Sequence, residues 1–498
     1  MSAYQKLEAH FRRAAHLDDA VGMLHWDMST MMPAGGATAR AEQMATLRGI
    51  RHHLIASPET AELLAAATDN GASSGLDDWQ RANLAEMRRD HTHAAAVEDD
   101  LIEALSKACS ACEMVWREAR PESDFAKVLP SLRTVLDLYR QVAAAKAEAF
   151  GCSLYEALLD QWEPGGKTAT IDAIFDDLAD FLPPFIDQAL AAQAKRPAPI
   201  VPQGPFPAEQ QKALATKLMG VLGFEFERGR LDVSFHPFCG GATDDVRITT
   251  RWDEADFVEG LMAVLHETGH ALYELGLPGD WRHQPVGKAR GMTLHESQSL
   301  LMEMQACRTH EFLSFAAPLI REAFGGSGPA FETENLYRHY THVDRSFIRT
   351  EADEVTYPTH VILRYRLERS MIAGELDLAD LPEAFNDGLE ALLGIRPPDD
   401  RQGCLQDIHW YAGAWGYFPT YTLGAIAAAQ FFGAAKRDDP AIVPGIATGD
   451  FAPLVGWLRA HVHGHGSKLP TDGLVEKATG LPLDPAVFKA HLAARYLD

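Results

Sequence analysis

The sequence predicts a mainly α-helical protein in which two helical lobes flank a deep groove, with a small β-sheet beside one central helix. Three observations favour this fold class. Alanine- and leucine-rich segments with apolar residues at helical spacing dominate residues 3–194. A proline-rich stretch at 196–207 interrupts them, and helical periodicity then resumes and continues to the end. Only the span 231–251 contains short strand-like segments.

The elements of the first half can be placed from this periodicity. We treat the 498 residues as one unit, because no internal repeat is visible, with approximate lobes at 1–207 and 208–498. The proline-rich stretch is too apolar for a free linker, so we expect it to pack on the surface. The N-terminal half would wall the groove and limit access to extended chains. The predicted helical segments of this half are 3–25, 38–68, 76–107, 124–150 and 170–194.

Composition and charge exclude several classes of protein. The chain is 46% hydrophobic and 23% charged, which is typical of a globular protein, and its net charge of −25 disfavours nucleic acid or an anionic membrane as partner. The densest apolar stretch, Ala425–Ala435, is too short to span a membrane. Met1–Lys6 shows no signal-peptide core, and the six cysteines, including Cys109 and Cys112, lack a disulfide framework. We therefore expect a cytoplasmic protein with reduced thiols.

The most informative segment is His266–His270, which reads HETGH. It lies within 257–275, where apolar residues recur at helical spacing, and Gly276 follows. In a helix, His266 and His270 share one face as metal ligands, and Glu267 points toward a metal-bound water. The alternative is a pair of core histidines satisfied by hydrogen bonds.

The third ligand decides which kind of zinc site this is. Tyr273 and Gly276 stand where a metzincin needs glycine and histidine, so that class is excluded. Glu274 lies too far along the helix to share an ion with both histidines, so we expect it to be second-shell or solvated. Glu296 opens the next long apolar run, and we expect it to complete a His, His, Glu site whose fourth position holds water.

Several motifs surround this segment in a fixed order, and together they resemble the carboxypeptidase Taq family of metallocarboxypeptidases. The N-terminal Leu24–Gly36 and the closing His463–Gly466 also look familial, so the resemblance covers the whole chain. The six motifs are HPF at His236–Phe238, DxRxT at Asp245–Thr249, HETGH at His266–His270, HESQ at His295–Gln298, IRxxADxxTY at Ile348–Tyr357 and GxxQDxHW at Gly403–Trp410.

The resemblance implies a metal-dependent carboxypeptidase that releases single C-terminal amino acids from peptides with broad specificity. It also implies one zinc ion per chain, with cobalt possible, and a homodimer. An oligoendopeptidase or dipeptidyl carboxypeptidase would use the same HExxH and downstream glutamate, so that alternative stays open. A purely structural metal would need four protein ligands, and the sequence offers three.

Two arginines are candidates for binding the terminal carboxylate of a peptide. Arg349 is preferred, because a guanidinium can hold a carboxylate with two parallel hydrogen bonds, and Arg247 is the reserve. Arg349 could instead form a helical ion pair with Asp353, four residues later. By resemblance, Asp353 is a second-shell carboxylate that orients the ligand imidazoles.

The polar, aromatic segment around His409 supplies candidates for oxyanion stabilisation. By analogy with related helical zinc peptidases, we assign His409 to that role. Tyr417 and Tyr421 lie one turn apart, and either could assist catalysis or contact the terminal carboxylate; we assign Tyr421 to catalysis and Tyr417 to substrate binding. A structural role for both tyrosines is an equal alternative.

Two further patterns have open interpretations. The alternation in Asp245–Arg251 predicts a half-buried edge strand that could pair with an extended peptide or simply cover the zinc helix. His461, His463 and His465 alternate in a way that could bind a second ion, although a polar turn is favoured because no carboxylate or cysteine lies nearby.

Overall fold

Helices form most of the structure, a computed structural model that describes residues 1–69 and 74–497. The prediction of a mainly helical protein with a small sheet beside the helix that carries HETGH is confirmed. Among the described residues, no helix is both long and apolar enough to cross a membrane.

The secondary structure elements are labelled here in chain order. The strands are β1 (Gly229–Val233), β2 (Phe238–Ala242) and β3 (Asp245–Thr250). The α-helices are α1 (Ala3–Thr30), α2 (Ala37–Ala56), α3 (Pro58–Thr68), α4 (Asp78–Ala95), α5 (Asp99–Glu122), α6 (Phe125–Phe150), α7 (Leu154–Leu159), α8 (Thr168–Gln193), α9 (Ala208–Leu222), α10 (Val258–Gly276), α11 (Met292–Leu300), α12 (His310–Phe324), α13 (Thr333–Tyr340), α14 (Tyr357–Ala373), α15 (Leu381–Leu393), α16 (His409–Ala412), α17 (Pro419–Asp438), α18 (Ile442–Ile446), α19 (Ala452–His461), α20 (Thr471–Thr479) and α21 (Pro485–Tyr496).

Local capping explains where the first-half helices begin and end. Ser2 forms a capping box with Gln5 and so starts α1 at the predicted place. The segment predicted as one helix at 38–68 is divided, because the Ser57 hydroxyl accepts a hydrogen bond from the backbone N–H of Thr60 and Pro58 fits the first turn of a new helix. The predicted segment 76–107 is also divided, between α4 and α5, and α5 continues to Glu122, so periodicity locates these helices but not their breaks or this helix end.

The described chain divides into two compact units, each assembled from three separate stretches. Because these stretches alternate along the sequence, neither unit coincides with residues 1–207 or 208–498. Unit 1 comprises Met1–Ala94, Pro199–Tyr340 and Ala427–Leu483, and unit 2 comprises Ala95–Ala198, Thr341–Ile426 and Asp484–Asp498.

The sheet of unit 1 has the strand order β1-β3-β2. β3 pairs in parallel with β1 and antiparallel with β2, so that Ile248 is opposite both Leu231 and Cys239. The interpretation of β3 as an edge strand that recruits a peptide is therefore wrong, because both of its edges are already hydrogen-bonded. Its buried Val246 and Ile248 face the core that also contains α10, so the alternative, a strand that covers the zinc helix, agrees with the structure.

The proline-rich stretch 196–207 is anchored by an aromatic cluster in unit 1. Phe206 is 2% exposed and packs against Phe257, immediately before α10, with ring centroids 4.8 Å apart. Phe324 and Phe331 complete the cluster. The stretch is therefore packed on the protein, as predicted. Its Phe206 contacts the residue that precedes α10, the helix that carries HETGH.

Unit 2 is organised around α14 and the buried carboxyl group of Glu368. This carboxyl accepts hydrogen bonds from the Tyr155 hydroxyl, the Trp410 indole N–H and the Gly416 backbone N–H. The C-terminal helix α21 joins unit 2 through a second buried carboxylate, Glu354. Its partners are His491, Arg495 and Tyr496.

Candidate active site

The two helices that carry HETGH and HESQ cross at Gly269, in unit 1. A Cβ atom at this position would lie 2.4 Å from the carbonyl oxygen of Gln298 and 2.6 Å from the Cα atom of Ser299. No side chain can occupy that space without moving backbone. Gly269 therefore permits the close crossing of α10 and α11, and the crossing brings the two motifs together.

The three predicted metal ligands converge at this crossing. The Nε2 atoms of His266 and His270 each lie 3.8 Å from the same oxygen, Oε2 of Glu296. Ligand atoms around a tetrahedral zinc ion, with bonds of about 2.1 Å, are separated by roughly 3.4 Å. The cluster therefore fits one divalent cation with little rearrangement, and its nitrogen and oxygen donors suit zinc.

The other ring nitrogen of each histidine is held by a neighbouring side chain. His266 Nδ1 lies 2.9 Å from Oε2 of Glu303, and His270 Nδ1 lies 2.6 Å from Nδ1 of His295. A proton on Nδ1 leaves the lone pair of Nε2 directed at the metal position, which is how outer partners orient ligand imidazoles. Glu303 and His295 thus have the orienting role that the sequence analysis gave to Asp353.

Glu303 belongs to a π-helix, Leu301–Cys307, that directly continues α11. Its second oxygen accepts a hydrogen bond from Arg308. Glu303 is not among the predicted site residues, although it follows Glu296 by two helical turns and lies in the same apolar run. π-Helical turns in proteins often occur at functional sites, and here one aims the carboxylate at His266.

His295 connects the ligand His270 to Glu274. Its Nε2 lies 2.8 Å from Oε1 of Glu274. Glu274 thus contacts the metal position only through His295 and His270. This agrees with the expectation that Glu274 is not a ligand itself.

The ionisation of the two ligand histidines is set by their neighbours. Burial, with His295 and His266 nearby, lowers the pKa of His270 well below the ordinary value, so its imidazole is neutral and able to bind metal. Burial alone would also lower the pKa of His266, but the hydrogen bond and charge of Glu303 raise it to about 9. In the absence of metal, a proton therefore competes for His266.

Glu267 is the candidate general base. It is 8% exposed, and burial raises the pKa of its carboxyl to about 7, with the neighbouring charge of His266 opposing the rise. A divalent cation at the adjacent ligands would oppose it further. A carboxyl in this range can both take up and return a proton near neutral pH.

The preferred carboxylate-binding residue, Arg349, lies in a buried cationic cluster of unit 2. Its Nε and Nη2 atoms donate to Oδ1 of Asp407, and its Nη1 atom donates to the Tyr357 hydroxyl. Arg364 donates to the other oxygen of the same Asp407. Burial alone would raise the pKa of Asp407, but the two guanidinium groups hold it far below the ordinary range.

The alternative that Arg349 pairs with Asp353 is wrong. The carboxylate of Asp353 accepts hydrogen bonds from the backbone N–H groups of Asp344, Val355 and Thr356. The chain at Arg349–Glu351 is a short 3₁₀ turn, so the four-residue helical spacing does not apply there. Asp353 instead holds the backbone that leads into α14.

His409, Tyr417 and Tyr421 come together beside this cluster, also in unit 2. His409 Nε2 lies 3.3 Å from the Tyr421 hydroxyl, and the rings of His409 and Tyr417 are 6.0 Å apart. Burial and the charge of Arg349 lower the pKa of His409 to about 4, so its imidazole is neutral at physiological pH. The guanidinium of Arg349 also lies 5.1 Å from the centre of the Tyr421 ring.

The remaining sequence candidates have definite local partners. Arg247 makes a two-point ion pair with Asp245 and stacks on Trp26 at 4.3 Å. His463 is buried, and its Nε2 lies 2.9 Å from Oε1 of Gln298, whereas His461 stacks on Trp457. The closing histidines thus support the HESQ segment and a neighbouring helix separately.

Comparisons with known proteins identify relatives over nearly the whole chain. A family model described as carboxypeptidase Taq (M32) metallopeptidase matches residues 6–496. The chain is 37% identical to thermostable carboxypeptidase 1 of Thermus thermophilus, over 99% of this chain and 98% of the relative, and 34% identical to thermostable carboxypeptidase 1 of Pyrococcus furiosus, over 99% and 98%. Among solved structures, metallocarboxypeptidase 1 of Trypanosoma cruzi superposes with a TM-score of 0.97 at 38% identity, covering 100% of this chain and 99% of that one.

A helical fold with a His, His, Glu cluster and an adjacent buried glutamate defines a metallopeptidase. The chain belongs to the carboxypeptidase Taq (M32) family, and it is a metallocarboxypeptidase.

Proposed function

We propose that this enzyme releases single amino acids from the C-terminal ends of peptides, with broad specificity, by attack of a zinc-bound water. The observation that carries the proposal is the convergence of His266, His270 and Glu296 beside Glu267, a buried carboxylate one residue from His266. Three protein ligands leave one position of a tetrahedral ion for water, which is the arrangement of catalytic zinc sites.

Each residue has a distinct task in this mechanism. Zinc, when bound, would polarise the scissile carbonyl and lower the pKa of water to about 7. Glu267 accepts the proton of the attacking water and then gives it to the leaving amine. Glu303 and His295 keep the ligand imidazoles in the tautomer that presents Nε2.

The residues of unit 2 are assigned to the substrate. Of the five N–H groups of Arg349, the hydrogen bonds to Asp407 and Tyr357 use three, and the other two suit a terminal carboxylate. Neutral His409, with Tyr421, is assigned to donate a hydrogen bond to the oxyanion, and Tyr417 to contact the substrate. Arg247 is the second choice for the carboxylate, because Asp245 already occupies its guanidinium.

The test pairs two substitutions that differ in their effect on metal. Glu267→Gln should retain stoichiometric zinc but lose turnover by about 10²–10⁴-fold, the usual contribution of a general base. His270→Ala should lose both. Metal content is measured by elemental analysis and turnover with a blocked dipeptide, and His53→Gln, an exposed residue of α2, is the matched control. Undiminished turnover in zinc-loaded Glu267→Gln would overturn the assignment.

The type of cleavage is settled separately by the products. Digestion of a mid-length peptide, followed by mass spectrometry over time, should show sequential loss of single C-terminal residues. Internal cuts or release of dipeptides would favour an oligoendopeptidase or dipeptidyl carboxypeptidase instead. Reloading the metal-free enzyme with zinc or cobalt compares the two ions under the same assay.

The proposal includes a cytoplasmic homodimer. The cysteine usage supports the location, since all six thiols are free, and the family resemblance supports the dimer. Light scattering during size-exclusion chromatography, at several protein concentrations, should give twice the chain mass of 54.6 kDa.

A further inference from the structure

A second cluster with metal-ligand chemistry lies in unit 1, formed by His16, Asp19 and His283. Each residue offers one ligand atom, and the three atoms lie within 4.8 Å of one another. His16 and Asp19 are three residues apart on α1, so they share a face of that helix. His283 comes from the connection between α10 and α11.

The geometry of this cluster already resembles a ligand set. His283 Nε2 lies 3.3 Å from Oδ2 of Asp19, close to the separation of about 3.4 Å for two ligands of a tetrahedral zinc ion. The His16 and His283 rings have centroids 4.4 Å apart and are tilted by 50°. His16 is exposed, so its side chain can rotate to complete the set.

Asp19 is oriented in the way that ligating carboxylates usually are. The backbone N–H and the hydroxyl of Thr243 both donate to Oδ1 of Asp19, each at 3.1 Å. This arrangement leaves Oδ2 directed at His283. Outer hydrogen bonds of this kind fix a carboxylate before a metal arrives.

The nearby cations are neutralised by other carboxylates and do not occupy the cluster. Arg51 and Lys288 pair with Asp18, and Arg282 pairs with Asp244. The protein as a whole carries a net charge of −25, which further favours a bound cation.

We propose that His16, Asp19 and His283 bind a second divalent cation, of the zinc, cobalt and nickel class, that clamps the α10–α11 connection to α1. Two imidazoles and one carboxylate select these ions over magnesium or calcium, which prefer oxygen ligands. The connection joins the helix that carries His266 and His270 to the helix that carries Glu296. The clamp thus stabilises the segment between the ligand-bearing helices, and the expected stoichiometry rises from one ion per chain to two.

The experiment measures zinc binding in a protein that lacks the catalytic site. The full chain with His270→Ala is stripped by a chelator and titrated with zinc against a chromophoric competitor. It should bind one zinc ion, and adding His16→Gln or His283→Asn should weaken that binding at least about tenfold. Asparagine is chosen because His283 has a backbone φ of 61°, a left-handed conformation that asparagine tolerates. His53→Gln in the same background is the control and should change nothing.

A second readout tests the clamp itself. In the His270→Ala protein, zinc should slow amide hydrogen exchange in residues 279–288, and His16→Gln should abolish that protection. The site is overturned if the His270→Ala protein binds no zinc, or if its zinc affinity is unchanged by both additional substitutions. Zinc binding without protection of 279–288 would overturn the clamp. Because none of these measurements uses turnover, they are independent of the proposed peptidase mechanism.

Discussion

Each compact unit contains a buried cluster of charged residues, and the two clusters differ in composition. Carboxylates predominate in the first, and guanidinium groups predominate in the second. In unit 1, Glu267, Glu296 and Glu303 surround the two ligand histidines, with Arg308 bound to Glu303 as a cationic partner. In unit 2, two guanidinium groups share one carboxylate, so Arg349, Arg364 and Asp407 together carry an excess positive charge. The first cluster is therefore suited to a bound cation and the second to a bound anion.

The largest expected effect comes from removing the shared carboxylate of the cationic cluster. Asp407→Asn leaves two buried guanidinium groups without a counter-charge, and we expect it to lower the free energy of unfolding by about 3–5 kcal/mol. Chemical denaturation measures the loss. The matched control is Glu383→Gln, which removes one of the three carboxylates around the exposed Arg396 and should leave the free energy of unfolding nearly unchanged. Equal losses in the two variants would contradict the importance of burial.

The next largest effect is expected in unit 1, from a substitution at the crossing of α10 and α11. Gly269→Ala places a Cβ atom 2.4 Å from the Gln298 carbonyl oxygen, so α10 and α11 must separate. We expect a loss of about 1–3 kcal/mol in stability together with weaker zinc binding. Gly433→Ala, a helical glycine with open space around its Cβ position, is the control and should be neutral or stabilising by up to about 1 kcal/mol. Unchanged zinc affinity in Gly269→Ala would show that the crossing does not position the ligands.

A smaller effect should follow from removing only the charge that orients His266. Glu303→Gln keeps a hydrogen-bond acceptor but removes the carboxylate, and we expect zinc affinity to fall by about 10–100-fold. In the metal-free protein the pKa of His266 should also fall below about 9, since Glu303 is what raises it. Competition titration and NMR measure these two quantities. Glu322→Gln, at an exposed position of α12, should leave both unchanged.

The next effect, a change of stability with pH, concerns Glu368, a buried carboxyl that, unlike Asp407, has no ion pair among the described residues. Burial raises its pKa to about 8 despite three hydrogen bonds that favour the ionised form. Its protonated form therefore adds stability that is complete below the ordinary carboxyl pKa of about 4.3 and is lost as the pH rises through about 8. The stability difference between the wild type and Glu368→Gln should shrink from pH 5 to pH 9. A constant difference would show that Glu368 is ionised in the folded protein.

The two clusters differ in how far the sequence predicts them, for a physical reason. His266, His270 and Glu267 are close in sequence on one helix, so helical periodicity was enough to place them together. The position of the Glu303 carboxylate depends on a π-helical turn, which no local sequence pattern predicts. Arg349 is predicted from its motif as the cation that binds a terminal carboxylate, but Asp407 lies 58 residues away and cannot be recognised as its ion-pair partner from spacing.

The fold shows the same division between local and long-range information. Apolar periodicity predicted the helices of the first half to within a few residues at most ends, and alternation predicted β3. The central position of β3 in its sheet depends on pairing with β1 and β2, which alternation alone does not reveal. The proline-rich stretch likewise suggested a single boundary near residue 207, whereas the compact units alternate along the chain.

The alternation of the two units has a consequence for synthesis on the ribosome. Unit 1 requires residues up to Leu483, and unit 2 requires α21, which Glu354 holds through His491, Arg495 and Tyr496. This chain therefore cannot complete and fold one unit before the other during translation. Both units remain incomplete, with apolar surface uncovered, until almost all of the sequence has emerged. Nascent chains halted before residue 483 should be bound by chaperones much more strongly than the released protein.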